Sequence, residues 1–472
     1  MEHPVVRKRG ASALVDSLQR QYRSAGPGEP PYVRGWPWLG VAIDYGKDAG
    51  GFLAGLKEQH GATFSVFLAG NRVTFVTDPR DYGAVLSCKA LDFHRLAGEI
   101  SSMGFGHGTA SLGPLEDDGI IRLSVDKMRG AALGRMTRAF QGALETVLLD
   151  QPLPEADGFY AFVSEVMFHA AGRSVFGEGF SDRVSKADFE AVDARFPLLV
   201  GGVPAGLLGV RPARAALSTA LSVGYDGAAE IIADRLRLME KHDVGEEAGA
   251  MQLAFLWALQ ANTIPATFWS LLLPLRDPAA RAALTAEVRA VLGDAPADPE
   301  TGRPQLDRDA LSKLVMLDSA ISEALRMTSG SLTIREALED VSLTLSDGST
   351  LPIRQGDRVG IYPYLMHHDP ALYPNPEAYQ FDRYVDEDGK RKHTFLLNGE
   401  RLRTYLMPFG GGVSMCPGRH FARNEIKIAA ALLLYHFDAE VDDQPLPALD
   451  NSRAGLGILP PVGDVTVRLR RR

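Results

Sequence analysis

Pro408-Phe409-Gly410-Gly411-Gly412-Val413-Ser414-Met415-Cys416-Pro417-Gly418-Arg419 is the most constrained stretch of this 472-residue chain. Three successive glycines let a backbone turn tightly and approach a flat ligand without Cβ clashes. Pro417 suits the first position of a helix, where a missing N–H costs nothing. The stretch therefore predicts Cys416 at a helix N-cap, facing the N–H groups of Gly418 and Arg419 and the positive helix end. That environment lowers a thiol pKa and steadies a thiolate. Such a thiolate acts as a nucleophile or as a metal ligand, and with no catalytic base spaced nearby the ligand role is favoured. A cysteine that is merely buried explains neither the glycine run before it nor the Cys-Pro-Gly at the helix start.

A second signal is a proline inside an uncharged run. No charged residue occurs from 248 to 275, a length that could cross a bilayer. Yet Gln260, Asn262, Thr263 and Thr267 sit in its middle, where hydrocarbon penalises them, so a long helix through a large soluble protein fits better. Pro265 cannot donate to the carbonyl of Ala261 and its ring pushes on it, which predicts a kink with a freed acceptor at Ala261. Asn262 and Thr263 are placed to hold a water against that carbonyl.

Around these two features apolar residues recur at helical spacing over 281–292, 311–327 and 419–437. Val341, Leu343 and Leu345 alternate with polar residues, Asp347-Gly348 makes a turn and Leu351-Pro352-Ile353 returns, as a hairpin. The fold class expected is mainly α with small β-sheets, one of them near the N-terminus, in a single large domain. Residues 1–31 read as an N-terminal helix (Leu14, Val15, Leu18 and Tyr22 at helical spacing, behind Arg7-Lys8-Arg9) and a Pro/Gly hinge, and residues 32–472 as the catalytic domain. The helix packs on its own domain or lies on a membrane surface.

Composition narrows the function. Fifty basic against 59 acidic side chains leave a net charge of −9, which argues against a nucleic-acid protein. Two cysteines, Cys88 and Cys416, exclude a disulfide framework and a multi-cysteine zinc site. No apolar stretch of anchor length follows the first residues, which points to a soluble, cytoplasmic protein without a transmembrane anchor, with peripheral membrane contact as the alternative. Gly104–Gly108 lacks the spacing of a nucleotide loop, His367-His368-Asp369 reads as structural rather than metal-binding, and the basic tail 468–472 reads as a solvated end.

The cysteine loop resembles the haem-ligand signature of the cytochrome P-450 superfamily: Phe409-x-x-Gly412, with Gly412 four residues before Cys416, then Cys-x-Gly. Thiolate-ligated haem of that family favours O–O cleavage. Glu323 and Arg326, three apart on one helix face, resemble the family's Glu-x-x-Arg pair, and Phe381-Asp382-Arg383-Tyr384 resembles the segment whose arginine completes that buried network. The resemblance implies haem b as cofactor, Cys416 as iron ligand and Phe409 beside the thiolate. It further implies Gly418 at the cofactor, Arg335 on a haem propionate, and Ala261, Asn262 and Thr263 handling oxygen and protons. The family's basic residue two before the cysteine is replaced by Ser414, and Lys127 is a candidate to share that load. Ala261 and Asn262 stand where the family usually has an acid and a threonine.

The strings 260–270 (QANTIPATFWS) and 451–461 (NSRAGLGILPP), with Thr333-Ile334-Arg335, are similar to the sterol 7α-hydroxylase branch beside the prostacyclin-synthase group. They imply a monooxygenase hydroxylating a lipophilic polycyclic substrate, a sterol or steroid, with Trp257, Ala258, Ala261 and Ile264 as a flat apolar wall. The alternative is a haem-thiolate isomerase or dehydratase working on an oxygenated lipid without external electrons; a non-catalytic carrier is disfavoured by the intact loop and polar kink. Expected partners are O2 and an electron-transfer protein (ferredoxin, flavodoxin or reductase). The electron donor would dock on a basic proximal face formed by Arg419, His420, Arg423 and Lys427.

Overall fold

The computed structural model describes residues 11–109, 112–150, 153 and 158–472. In its N-terminal part, helix α1 (Ala11–Tyr22) precedes strands β1 (Tyr32–Val33), β2 (Thr63–Leu68), β3 (Asn71–Val76) and β4 (Leu91–Asp92). Helices then dominate: α2 (His94–Phe105), α3 (Gly130–Glu145), α4 (Phe159–Phe176), α5 (Lys186–Val200), α6 (Ala248–Gln260), α7 (Thr263–Arg276), α8 (Pro278–Gly293) and α9 (Val315–Thr328). Strands β5 (Thr333–Ala337), β6 (Val341–Thr344), β7 (Thr350–Ile353) and β8 (Arg358–Ile361) follow, then helix α10 (Arg419–His436) and the pair β9 (Phe437–Val441) and β10 (Val467–Arg471).

The main sheet runs β1-β2-β3-β8-β5-β4, so distant segments meet in it. β3 pairs parallel with β8 (Val73↔Arg358) and β8 antiparallel with β5 (Val359↔Arg335). That register places Arg335 on β5, next to the edge strand β4 and one strand from the N-terminal hairpin. The expected hairpin is β6–β7, with Leu343 opposite Leu351 and both nearly buried, and Gly348 taking the left-handed φ of +82° at the turn.

The 248–275 run divides into α6 and α7 at Ala261-Asn262, where the hydrogen-bond ladder is interrupted while both residues keep right-handed helical φ and ψ (−60°, −24° and −105°, −32°). Pro265, three residues into α7, has no N–H for the carbonyl of Ala261, and α7 instead starts on the Ala266 N–H to Asn262 O bond of 3.0 Å. The 311–327 pattern is likewise split, at Leu314 (φ −78°, ψ 67°), so that α9 begins at Val315. Leu256, Leu272, Ile321, Ala324, Ile428 and Leu432, from α6, α7, α9 and α10, are at most 1% exposed and share one apolar core. Emptying one of these leucine or isoleucine positions to Ala costs about 2–5 kcal/mol.

At the N-terminus, Arg7–Arg9 and the Leu14 side chain lie outside the described residues. Val15 and Tyr22 are about half exposed, but the Gln21 amide donates to the carbonyls of Arg34 (3.1 Å) and Trp36 (2.7 Å). Glu29, in the proline–glycine segment, pairs with Arg72 at 2.8 Å and Arg354 at 2.5 Å. No helix among the described residues is long and apolar enough to cross a membrane. Gly104 and Phe105 belong to the end of α2 rather than to a loop, and the basic tail contributes to β10, just beyond which Arg472 pairs with Asp438 at 2.8 Å.

Beneath the core lies the carboxylate–guanidinium network. Glu323 is wholly buried; Arg326 Nε and Nη2 donate to its two oxygens at 2.8 and 2.9 Å, and Arg383 Nε donates to Oε1 at 2.9 Å. The arginines spend their other donors on the carbonyls of His367 and Pro376 (both 2.6 Å) and Pro374 (2.9 Å). Tyr373 lies 5.1 Å under the Arg326 guanidinium. His367 accepts the Met407 N–H at 3.0 Å, a structural use as expected.

Removing one partner leaves buried charges uncompensated, which costs about 3–5 kcal/mol. Glu323→Ala is therefore expected to lower stability to urea by that amount, whereas Arg80→Ala, at an exposed ion pair with Asp78, leaves the unfolding midpoint unchanged. A Glu323→Ala midpoint equal to that of Arg80→Ala would contradict this account.

Candidate active site

Both signals of the sequence border one cavity of about 750 Å³. Its floor includes Phe409, Gly410, Ser414 and Cys416; α6 and α7 supply Trp257, Ala258, Asn262, Thr263 and Ala266 along one side. α5 covers it with Phe196, Pro197 and Val200, and the 452–458 loop closes the end. A second hollow of about 580 Å³, between α8 and the β9–β10 pair, contains neither cysteine.

The Cys416 N–H donates to the carbonyl of Phe409 at 2.9 Å, closing the loop into a knuckle. Gly412 makes it possible: at φ +60° a Cβ would sit 2.7 Å from the Leu86 carbonyl oxygen. The helix, however, starts at Arg419 with Gly418 as N-cap, two residues later than expected for Cys416. Pro417 and Gly418 make a turn instead. The N–H groups of Gly418 and Arg419 still reach the sulfur, but burial outweighs them and pushes the thiol above its ordinary value, correcting the expected depression. Metal ligation, which deprotonates a thiol outright, reverses that balance.

Arg335 is 1% exposed; its Nη2 donates to Ser414 Oγ at 3.1 Å and to the Gly411 carbonyl at 3.3 Å. Its Nε is buried with no partner, and burial lowers the guanidinium pKa below its ordinary value. A buried cation beside the cysteine loop with a donor to spare suits a carboxylate. Ser414 thus occupies the place of a basic residue by accepting from one. Lys127 does not join it: Nζ lies 2.7 Å from Asp234 and 3.1 Å from Glu230 at the surface, outside the cavity.

The basic proximal face is also corrected. Arg423 and Lys427 are turned inward onto Asp318, at 3.0 and 2.8 Å, leaving half-buried Arg419 and exposed His420 at that surface. Their charge balances a buried carboxylate rather than facing solvent.

The helical wall is narrower than expected. Ala258, Asn262 and Ala266 follow four-residue spacing toward the cavity, flanked by Trp257 and Thr263. Ile264, two residues past Asn262 and so about 200° round the helix, is in the apolar core, and Ala261, about 100° off, does not line the cavity. Asn262 is pinned: its Oδ1 accepts the Ile458 N–H at 2.8 Å. That main-chain donor fixes the amide orientation, leaving Nδ2 as its donor end. Gly457, at φ +147°, permits the approach, since a Cβ there would lie 1.8 Å from Asn262 Oδ1. Gly457 and Ile458 were visible in the sequence as part of a family-like string, but nothing in it announced their bond to Asn262.

Asn262→Ala removes the acceptor and leaves the Ile458 N–H orphaned, a loss of about 1–3 kcal/mol locally. Hydrogen exchange of the Ile458 amide should accelerate about tenfold or more, while the amides of α9 keep wild-type rates. Unchanged exchange at Ile458 would show that the bond does not hold the loop.

Residues 221–467 match the family model for cytochrome P450. The chain is 38% identical to cytochrome P450 7A1 of Rattus norvegicus over 94% of both chains, and 35% identical to cytochrome P450 7B1 of Mus musculus over 95% of this chain and 92% of that one. Human prostacyclin synthase is 33% identical over 94% of this chain and 95% of its own length. Among solved structures, the retinoic acid-bound cyanobacterial CYP120A1 superposes with a TM-score of 0.70, covering 95% of this chain and all of the other at 21% identity. The buried Glu-Arg-Arg network, the cysteine knuckle under a cavity and the relatives agree, and the chain belongs to the cytochrome P450 family.

Proposed function

We propose that this enzyme hydroxylates a sterol or steroid at an unactivated ring C–H, with Cys416 as the haem ligand and electrons drawn from a separate protein. The carrying observation is the single thiol in the floor of a largely apolar cavity whose side wall bears Asn262 and Thr263. Relatives at similar identity include a cholesterol 7-alpha-monooxygenase of Cricetulus griseus (38%) and a 7-alpha-hydroxycholest-4-en-3-one 12-alpha-hydroxylase of Oryctolagus cuniculus (34%).

The residues present fit haem b. Among the described residues no three His, Cys, Asp or Glu side chains gather to hold a metal, so iron held by one cysteine must bring its other ligands with it. The unpartnered Nε of Arg335 suits a propionate. When bound, haem supplies oxygen activation and insertion of one oxygen atom.

The chain supplies the rest. Cys416 provides the thiolate, Phe409 shields it, and Gly418 directs its N–H at the sulfur. Asn262 Nδ2 donates a hydrogen bond that holds a water at the cavity wall, and the Thr263 hydroxyl, donor and acceptor at once, passes a proton along it. Trp257, Ala258 and Phe196 lay a flat apolar surface against fused rings and exclude water. An isomerase, the alternative among these relatives, would turn over without reducing equivalents.

Cys416→Ser should abolish the strongly red-shifted Soret band of the reduced carbon monoxide complex, and Cys88→Ser should keep it. Loss of the band in the Cys88 variant with retention in the Cys416 variant would overturn the ligand assignment. Titration with a sterol and steroid panel should shift the ferric protein to high spin, and reconstituted turnover should add one hydroxyl. Spin shifts with linear fatty acids and with no member of the panel would sink the substrate class.

A further inference from the structure

Three walls of the cavity come from segments far apart in sequence: α5 overhead, α6 at the side and the 452–458 loop at the end. One carboxylate ties all three. Asp193, on α5, accepts on Oδ1 from the Trp257 indole N–H at 2.7 Å and from Arg453 Nη2 at 2.8 Å. Its main-chain carbonyl accepts Arg453 Nη1 at 2.9 Å. Arg453 is 8% exposed and immediately precedes the loop residues Ala454–Ile458 that line the cavity.

The indole held in this way is the hub of the apolar wall. Trp257 stacks on Phe196, one turn along α5 from Asp193, with centroids 4.1 Å apart and 23° between planes. It meets Phe105 of α2 at 5.8 Å. Trp257 and Phe196 both face the cavity, whereas Asp193 does not line it. An ordinary ion pair explains one Asp193–Arg453 contact. It does not explain why an indole shares the same oxygen, nor why the same arginine also grips the main chain of α5.

We propose that Asp193 is a positioning residue that holds the roof helix shut and fixes the plane of Trp257, so that it sets which ligand shapes the cavity admits. The inference rests on the reading of this cavity as the ligand site. It is independent of the sterol assignment. With the Asp193 side chain removed, α5 loses its hydrogen bond to α6 and its ion pair to the loop, keeping only the Arg453 bond to its main chain and the Phe196–Trp257 stack, and the roof loosens on the side where Phe196, Pro197 and Val200 face inward.

The test uses the full haem-containing chain and two nitrogen ligands of different bulk, imidazole and 4-phenylimidazole, followed in the Soret band. In Asp193→Ala, which loses two charge-assisted hydrogen bonds, association and dissociation of 4-phenylimidazole should both rise about tenfold or more, while imidazole changes less than about twofold. Exchange of amides in 186–200 should rise in parallel. Asp193→Asn, which keeps the oxygen acceptor, should recover part of the wild-type selectivity. Trp257→Phe keeps the ring on Phe196 and removes the N–H, so it moves 4-phenylimidazole in the same direction by a smaller factor, and it decides the matter if Asp193→Ala does not fold. Equal changes for both probes, or unchanged rates in a folded variant, overturn the proposal. A wild-type protein that ignores steroids yet obeys this pattern would sink the sterol reading alone. A steroid response with no such pattern would sink the clasp alone.

Discussion

A carboxylate with no contact with water is the constraint on which this molecule turns. Glu323 must be met by two guanidinium groups, and the two that meet it come from its own helix and from residue 383. Desolvating those charges is tolerable because the arginines' remaining donors find carbonyls, so the segment 367–383 is cross-stitched beneath α9 by main-chain oxygens rather than by packing alone. The cysteine loop is built on this base, since His367, whose carbonyl binds Arg326, also accepts the N–H of Met407, which leads into residue 408. A stability element and a reactive thiol are therefore two ends of one hydrogen-bonded chain.

The long-range parts of the fold were legible where residue type narrows the physics. The glycine run before Cys416 told of a tight turn and Pro265 of an interrupted helix, whereas Pro417, read as a first helical residue, lies in a turn ahead of the helix. The Val341–Leu345 alternation with Asp347-Gly348 told of a hairpin, because each rests on backbone geometry that few residues tolerate. Placement relative to distant segments was not legible. Arg423 and Lys427 look like a basic face on a helical wheel, and nothing local says that Asp318 on another helix will claim them. Ile264 belongs to an apolar face by composition, yet it lies about 200° round the helix from Asn262 and so faces the core. Lys127 sits in a plausible place along the chain, but its charge is spent on Glu230 and Asp234, which no spacing rule connects to it.

The site itself divides the same way. Cys416, Phe409 and Arg335 carry marks in the sequence, and the fold brings them to one cavity floor or its edge. Asp193 carries none: it is one acid among several on an amphipathic helix, and its value comes from an indole and a guanidinium that approach from 64 and 260 residues away. Such residues are invisible to pattern reading because their partners are set by topology.

The contact between Asn262 and Gly457 has a consequence for how this chain can change over time. Oδ1 of Asn262 occupies the volume that any side chain at 457 would need, and the Ile458 N–H depends on that same oxygen. A larger residue at 457 is intolerable while the amide is present. Replacing the amide by a smaller group frees the space but not the backbone, since the φ of +147° at 457 still favours glycine. Position 457 is thus held to glycine twice, by the neighbouring amide and by its own backbone, and position 262 is held by the N–H it must satisfy, so the end wall of the cavity resists drift at both positions.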